Sequence, residues 1–277
     1  MIQRGIALLL SLYLMGRASA AAEKNQIIMD SVTGQKVDRI IFSDVIPFRD
    51  ESHGEIVSRV SSAFLGTPYQ AGTLTGGFDV PEALVANLNA VDCFTLADDV
   101  EALARSRDRR SFLQNLATIR YAGGQVSYFS RRHFFSDWFA ATPRIARDVT
   151  PDISADYVTV AKRLNRQPDG SEYIPGLGMR SRKINYIPGR AVNQAVLDRL
   201  KNGDFIGIYS PLDGLDVSHI GIVVRHDGEV WFRNASSLPR NGQVVDTPFM
   251  AYMRTKPGIV VVRTDASFIA SGTPEGG

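Results

Sequence analysis

The hydrophobic pattern of the chain changes from helical in its first half to strand-like near its end. Apolar residues recur at helical spacing in three segments, 50–65, 93 to about 105, and 111–122. Four short runs rich in valine, isoleucine and phenylalanine follow, punctuated by glycine, aspartate and proline: 204–209, 218–225, 229–235 and 258–263. Runs of helices followed by runs of strands predict an α+β fold.

Two further helices and one unassigned region complete the predicted order. Pro81 at a first helical turn predicts a short helix over 81–89, and another helix runs from residue 192 to 200, closed by Asn202 and Gly203. Residues 123–190 have weak periodicity, and we assign no element order there. The length after residue 20 suits one domain over 21–266, with a flexible tail at 267–277.

The first 20 residues have the pattern of a secretory signal peptide. Arg4 precedes an apolar run over 6–15, and Ala18, Ser19 and Ala20 form a small-residue cleavage site. The apolar run is about ten residues long, whereas a membrane-spanning helix needs roughly 20. We therefore expect a periplasmic or secreted protein, cleaved near Ala20, with no stable membrane anchor.

Charge and cysteine content narrow the classes of function. The chain has 31 Lys and Arg residues against 29 Asp and Glu residues. Arg4 and Arg17 belong to the predicted signal segment, and without them the count is 29 against 29. Because no net basic field is present, nucleic-acid binding is not expected. The single cysteine, Cys93, excludes an internal disulfide, so apolar burial must stabilise an exported chain.

Cys93 begins an amphipathic helix, and this position makes it a candidate nucleophile. Backbone N–H groups at a helix N-terminus favour the thiolate over the thiol, whereas the charge of Asp92, the candidate N-cap, opposes it. The alternative for a lone cysteine is a buried apolar side chain without chemistry. The apolar face of the helix comprises Cys93, Leu96, Ala97, Val100, Leu103 and Ala104, and the residues predicted to face outward are Asp98, Asp99, Glu101 and Arg105.

A predicted hairpin follows from the dipeptide Asp227-Gly228 between two apolar runs. Such a dipeptide favours a two-residue turn with positive φ at both central positions. The turn pairs His226 with Glu229, and strand alternation then determines which residues share a face.

The same register places His219 and Asn234 on one face as diagonal neighbours, about 7 to 8 Å apart at Cα. The Asn234 amide oxygen can then accept a hydrogen bond from one imidazole nitrogen and orient the other toward sulfur. Gly221 lies between them and is expected to let the Cys93 helix approach. A three-residue turn would instead place Asn234 on the opposite face.

The candidate residues follow the chain order of papain-like enzymes: a cysteine on a helix, a histidine 126 residues later on a strand, and a polar orienting residue 15 beyond it. Seven short motifs accompany this order: 64–69 (FLGTPY), 71–74 (AGTL), 88–95 (LNAVDCFT), 135–138 (FSDW), 203–204 (GD), 214–221 (GLDVSHIG) and 234–237 (NASS). Together these motifs resemble the N-acetylmuramoyl-L-alanine amidase-like family of NlpC-type papain-like cell-wall hydrolases. The resemblance implies a papain-like core, with N-terminal helices packed on a C-terminal antiparallel sheet or barrel and a family-specific middle region at about 123–190.

The resemblance also implies roles for individual residues. Cys93 is the expected nucleophile, His219 the base, and Tyr69 an oxyanion donor beside the Cys93 N–H. Asn234 stands where the family usually has histidine, and Phe94 stands where it has a small hydroxyl residue. Further expected oxyanion or substrate contacts are Gly72, Thr73, Asp92, Asp137, Trp138, Ser218 and Ser236. For Asp137 and Trp138, anchoring of the middle region is an equal alternative.

The implied function is hydrolysis of the amide between N-acetylmuramic acid and L-alanine in peptidoglycan or muropeptides, through a thioester. Two alternatives stay open: a stem-peptide endopeptidase that cuts after γ-D-glutamate, and a peptidoglycan-binding module whose catalytic machinery has decayed. No cofactor is expected, and the remaining histidines, 53, 133 and 226, lack the pattern of a metal site. The arginines at 105, 107, 109, 110, 131 and 132 form either solvated faces or carboxylate-binding groups.

Overall fold

The computed structural model describes residues 26–265 and residue 267, so the predicted signal peptide and nearly all of the predicted tail lie outside the described residues. No helix in the described part of the chain has both the length and the apolarity needed to cross a membrane. The elements are β1 (Ile27–Ile28), α1 (Ser31–Ile40), α2 (His53–Ser62), β2 (Leu84–Val85), α3 (Cys93–Ala104), α4 (Arg109–Arg120), α5 (Asp137–Ala140), β3 (Arg147–Asp148), α6 (Thr150–Ile153), β4 (Val158–Leu164), β5 (Arg180–Pro188), α7 (Gln194–Arg199), β6 (Phe205–Tyr209), β7 (Val217–His226), β8 (Glu229–Ala235), β9 (Val244–Pro248), α8 (Phe249–Met253) and β10 (Gly258–Arg263).

One antiparallel sheet contains the strands from β3 onward. Its order is β4, β5, β10, β6, β7, β8 and β9, and β3 pairs with the end of β10. Because β4 and β9 lie at opposite edges, the sheet stays open within the described residues, and the expected barrel does not form. The α+β fold class is confirmed. The assignment to a papain-like core stays a prediction.

The hairpin between β7 and β8 has the predicted turn. Asp227 and Gly228 both have positive φ, at 53° and 76°. His226 pairs with Glu229, as the two-residue turn requires.

Gly221 accommodates the neighbouring strand rather than the Cys93 helix. A Cβ on Gly221 would lie 2.5 Å from the Phe232 ring and 2.5 Å from the Arg233 carbonyl oxygen. The Phe232 ring also packs edge-on against His219, with centroids 5.9 Å apart. The expected reason for glycine at this position is therefore wrong, because the close neighbour is β8.

Helix α3 is buried along nearly its whole length. Its N-terminus is closed by a capping box in which the Asp92 carboxylate and the Thr95 hydroxyl each accept a hydrogen bond from the other residue's backbone N–H. The prediction that Asp98, Asp99 and Glu101 face solvent is wrong, because they are only 2%, 1% and 0% exposed.

Ion pairs explain why these carboxylates lie inside. Arg120 of α4 places Nε 2.8 Å from Asp98 Oδ2 and Nη2 3.3 Å from Asp99 Oδ1. A buried carboxylate is tolerated when it is paired and hydrogen-bonded. Periodicity identifies apolar faces, and it does not reveal a partner on another helix.

Glu101, nearer the end of α3, has partners other than Arg120. His53 Nε2 and Thr264 Oγ1 each lie 3.0 Å from its carboxylate oxygens. Arg105 also pairs with this carboxylate and is itself nearly buried, so the outward position expected for Arg105 is wrong.

The predicted helix over 81–89 is wrong, because its central residues form strand β2. The Leu84 N–H donates to the Gln26 carbonyl at 2.8 Å, and the Ala86 N–H donates to the Ile28 carbonyl at 2.9 Å. Pairing with the distant β1 therefore overrides the local helix signal at Pro81. Helix α1, which was not predicted, follows β1 after a two-residue connection.

The middle region is part of the core. Its strands β4 and β5 pair with each other and extend one side of the sheet, where β5 pairs with β10. Trp138 of α5 is fully buried against Phe205, with ring centroids 4.9 Å apart. Asp137, also in α5, pairs with Arg182 of β5 at 3.0 Å.

Candidate active site

Cys93 and His219 line the same cleft, which has a volume of about 310 Å³. The cleft lies where the N-terminus of α3 meets β7. Ile220, the residue after His219, also lines the cleft, and its backbone N–H lowers the pKa of the Cys93 thiol. The remaining wall comes from Phe94 and from residues 133–135, 173–174 and 215–218.

The Cys93 thiol is protonated at neutral pH. Burial and then the charge of Asp92 raise the pKa of the Cys93 thiol to about 11. Hydrogen bonds from the N–H groups of Ile220, Cys93 and Phe94 lower this pKa, but by less. The expected preference for thiolate at this helix N-terminus is therefore wrong, because burial outweighs the N–H groups.

Asn234 holds the His219 ring in one tautomer. Its Nδ2 donates to the Phe232 carbonyl at 3.1 Å and to Thr247 Oγ1 at 3.2 Å. Its Oδ1 therefore faces the ring, 3.0 Å from His219 Nε2, which confirms the predicted contact. Because an amide oxygen only accepts, Nε2 carries the hydrogen and Nδ1 keeps a lone pair.

The His219 ring is also neutral. Burial lowers the pKa of His219, and the hydrogen bond with Asn234 opposes this change only in part. The cleft therefore combines a neutral thiol with a neutral imidazole that has one basic nitrogen, Nδ1. The two side chains are therefore not a thiolate–imidazolium ion pair.

Tyr69 is held beside the residues that precede Cys93. The Val91 N–H donates to the Pro68 carbonyl, and the Gln70 N–H donates to the Val91 carbonyl, both at 3.0 Å. Burial raises the pKa of the Tyr69 phenol, and the charge of Asp92 and ionisation of Cys93 act in the same direction. The Tyr69 O–H therefore stays protonated at neutral pH, and Tyr69 itself is not among the residues that line the cleft.

The other expected contacts divide into cleft and non-cleft positions. Ser218 lies in the cleft wall. Ser236 is buried and its hydroxyl accepts from Asn241 Nδ2 at 3.1 Å. Gly72 and Thr73 lie on a surface loop outside the cleft wall.

Asp137 and Trp138 are buried away from the cleft wall. The Asp137 carboxylate accepts from the Phe134 N–H at 3.2 Å and pairs with Arg182. These contacts favour the anchoring alternative over the gripping of substrate.

Arg131 and Arg132 have internal partners. Arg131 Nη2 lies 2.6 Å from both carboxylate oxygens of Glu82. Arg132 is buried and donates to the backbone carbonyls of Ile119, Asp137 and Pro143. Neither guanidinium is placed to bind a substrate carboxylate.

Asp216 and His133 line the cleft and were not predicted as site residues. Asp216 accepts from the Ser136 and Val217 N–H groups, each at 2.7 Å, and so ties the 215–218 loop to the 133–137 turn. His133 Nε2 donates to the Tyr128 carbonyl at 2.7 Å, which leaves Nδ1 as an acceptor. Asp216 belongs to the 214–221 motif, and this motif is the sequence signal that could have identified it. His133 had no comparable signal.

The described residues contain no cluster of three or more His, Cys, Asp or Glu side chains arranged to hold a metal ion.

Comparison with known proteins identifies the family. A crystal structure of a N-acetylmuramoyl-L-alanine amidase from Bacteroides uniformis is 28% identical, with a TM-score of 0.64, and the match covers 77% of this chain and 99% of that one. A protein from Legionella pneumophila is 22% identical and shares the fold with a TM-score of 0.72, over 84% of this chain and 95% of that one. No curated protein is similar enough to match. The model of one family matches residues 59–259, from α2 into β10, and the chain therefore belongs to the N-acetylmuramoyl-L-alanine amidase-like family.

Proposed function

We propose that this protein is an exported cysteine hydrolase that cleaves the amide between N-acetylmuramic acid and L-alanine in peptidoglycan or muropeptides. Family membership and the name of the Bacteroides uniformis neighbour support a hydrolase of cell-wall material. One observation carries the cysteine mechanism: Cys93 and His219 line one cleft, with Asn234 Oδ1 3.0 Å from His219 Nε2.

The neutral state of thiol and imidazole determines the order of proton transfer. His219 Nδ1 takes the thiol proton while the sulfur attacks the lactyl carbonyl carbon and a C–S bond forms. The carbonyl oxygen becomes an oxyanion, for which the Cys93 N–H and the Tyr69 O–H are the proposed donors.

The second half of the reaction returns the proton. The His219 imidazolium protonates the L-alanine nitrogen, the C–N bond breaks, and a muramoyl thioester remains on Cys93. Water that gives its proton to His219 then hydrolyses the thioester. Asn234 keeps Nδ1 directed for both transfers, although as an uncharged amide it stabilises the imidazolium less than a carboxylate does.

A binding module without catalysis is the second candidate. The thiol pKa near 11 and the lowered pKa of His219 favour it, because they do not produce the thiolate and imidazolium pair of an activated cysteine. Such a protein binds muropeptides in the cleft and releases them unchanged.

Mass spectrometry of digested muropeptides tests the proposal. The expected products are a saccharide with a free lactyl carboxylate and an intact stem peptide that begins with L-alanine. Fragments cut after γ-D-glutamate would identify the endopeptidase alternative. Muropeptides that bind and stay intact would identify the binding module, with Cys93→Ala as the matched control for cleavage.

A further inference from the structure

Exposed aromatic side chains from two loops meet beside the cleft. Phe78 and Phe129 are 56% and 49% exposed, and their ring centroids lie 6.2 Å apart in an edge-to-face arrangement. Tyr128 packs edge-on against Phe129 with centroids 5.4 Å apart. We call Phe78, Tyr128 and Phe129 the aromatic rim. Exposed apolar clusters of this kind mark binding surfaces more often than isolated exposed rings do.

The aromatic rim is continuous with the cleft wall on two sides. The ring of His133, a cleft residue, packs edge-on against Tyr128 with centroids 5.1 Å apart. Ile174, another cleft residue, precedes Gly176 by two positions. A Cβ on Gly176 would lie 2.3 Å and 3.4 Å from the two exposed phenylalanine rings. The aromatic rim therefore packs directly against two parts of the cleft wall.

A backbone hydrogen bond and an ion pair hold the two loops of the rim in place. Phe78 lies in a turn in which the Gly77 N–H donates to the Val80 carbonyl at 3.0 Å. The segment after this turn is joined to the Phe129 loop by the ion pair of Glu82 with Arg131 at 2.6 Å. Because the rings are positioned before binding, little ordering entropy is lost when a ligand stacks on them.

The charges near the rim favour an uncharged ring over an acidic peptide. Segments 76–80 and 173–178 contain no lysine or arginine. In the segment with Phe129, Arg131 is bound to Glu82 and Arg132 is buried. Asp79, next to Phe78, is exposed, and its charge repels carboxylates. A pyranose with an N-acetyl group offers C–H faces and a methyl group that pack on aromatic rings.

We propose that the aromatic rim is the saccharide subsite of this enzyme, in which Phe78 and Phe129 pack against the sugar beside the scissile amide. This inference rests on the proposed function, because it assigns one part of that substrate. It makes the glycan portion a determinant of affinity rather than a passive attachment.

Binding measurements separate the subsite from the chemistry. Cys93→Ala protein is titrated by calorimetry with the lactyl amide of N-acetylglucosaminyl-N-acetylmuramic acid, which is uncharged as in the substrate, and, separately, with L-Ala-γ-D-Glu. Adding Phe78→Ala and Phe129→Ala should weaken disaccharide binding about tenfold and leave dipeptide binding within about twofold. The matched control adds Phe42→Ala, an exposed phenylalanine outside the cleft wall, and should change neither affinity.

Three results would overturn the subsite. They are equal disaccharide affinity with and without the two rings, no disaccharide binding at all, and a loss confined to the dipeptide. Circular dichroism of the double variant establishes that it is folded, as expected for exposed side chains. Muropeptide hydrolysis by the enzyme with Cys93 intact is scored separately. Hydrolysis without rim-dependent binding refutes only the subsite, and rim-dependent binding without hydrolysis refutes only the amidase.

Discussion

The start and the middle of helix α3 differ in the surroundings of their polar side chains. Cys93 lines a cleft, and burial and the Asp92 charge raise the pKa of its thiol more than nearby backbone N–H groups lower it. One to two turns later, Asp98 and Asp99 are buried against Arg120. The comparison separates two parts of one helix: the end with the protonated thiol, here called the neutral end, and the segment paired with Arg120, here called the charged segment.

The largest expected effect is at the neutral end. Cys93→Ala removes the proposed nucleophile and should abolish muropeptide hydrolysis, while the midpoint of urea unfolding stays close to that of the wild type. Rates and unfolding curves are measured on the same preparation. Muropeptide turnover that survives the substitution would contradict the proposed role of Cys93 as the nucleophile.

In the charged segment, by contrast, the expected effect of a substitution is on stability. Arg120→Met leaves Asp98 and Asp99 without their counter-ion, and breaking a buried pair costs about 3–5 kcal/mol in the free energy of unfolding. The matched control, Arg147→Met, breaks an exposed pair with Asp152 and should cost about 0–1 kcal/mol. Similar losses in urea unfolding for both variants would contradict the structural role of the buried pair.

Asn234 tests whether the cleft depends on orientation of the base. Asn234→Ala frees the His219 ring and should lower kcat by about a hundredfold, the lower end of what a positioned acid–base group supplies. Asn234→His can again accept from Nε2 and should retain more of kcat. Initial rates over a pH series distinguish the two variants. An unchanged kcat and pH profile in Asn234→Ala would show that the hydrogen bond is irrelevant to catalysis.

The last prediction concerns the pH dependence of stability and Asp99. Burial raises the pKa of Asp99 to about 8, although Arg120 opposes this. A carboxyl whose pKa is higher in the folded state stabilises that state at low pH, and this contribution is lost as pH rises through the folded pKa. The stability of Asp99→Asn relative to the wild type should therefore increase between about pH 4 and pH 8. Parallel stability curves for the two proteins would contradict the raised pKa.

Local turn chemistry made part of the site predictable. Asp227 and Gly228 determine the hairpin register, and that register brings Asn234 to His219. The fold class followed from the change of periodicity. The β2 strand did not, because it depends on pairing with a segment more than 50 residues away.

The charge pattern of α3 was misjudged for a related reason. Asp98 looks exposed on a helical wheel, but its partner Arg120 is 22 residues away on another helix. The thiolate preference expected at Cys93 failed because burial depth is not visible in a sequence. The aromatic rim combines separate loops, so only the assembled fold reveals it.

The most direct test of the central claim is the mass of the intact protein during turnover. Samples of enzyme and muropeptide are quenched in acid within the first turnovers and examined by mass spectrometry. We expect a muramoyl adduct on the peptide that contains Cys93, released by hydroxylamine as a thioester is, and absent from His219→Ala. Hydrolysis that proceeds with no adduct in the wild type, or with an adduct on another residue, would contradict the account.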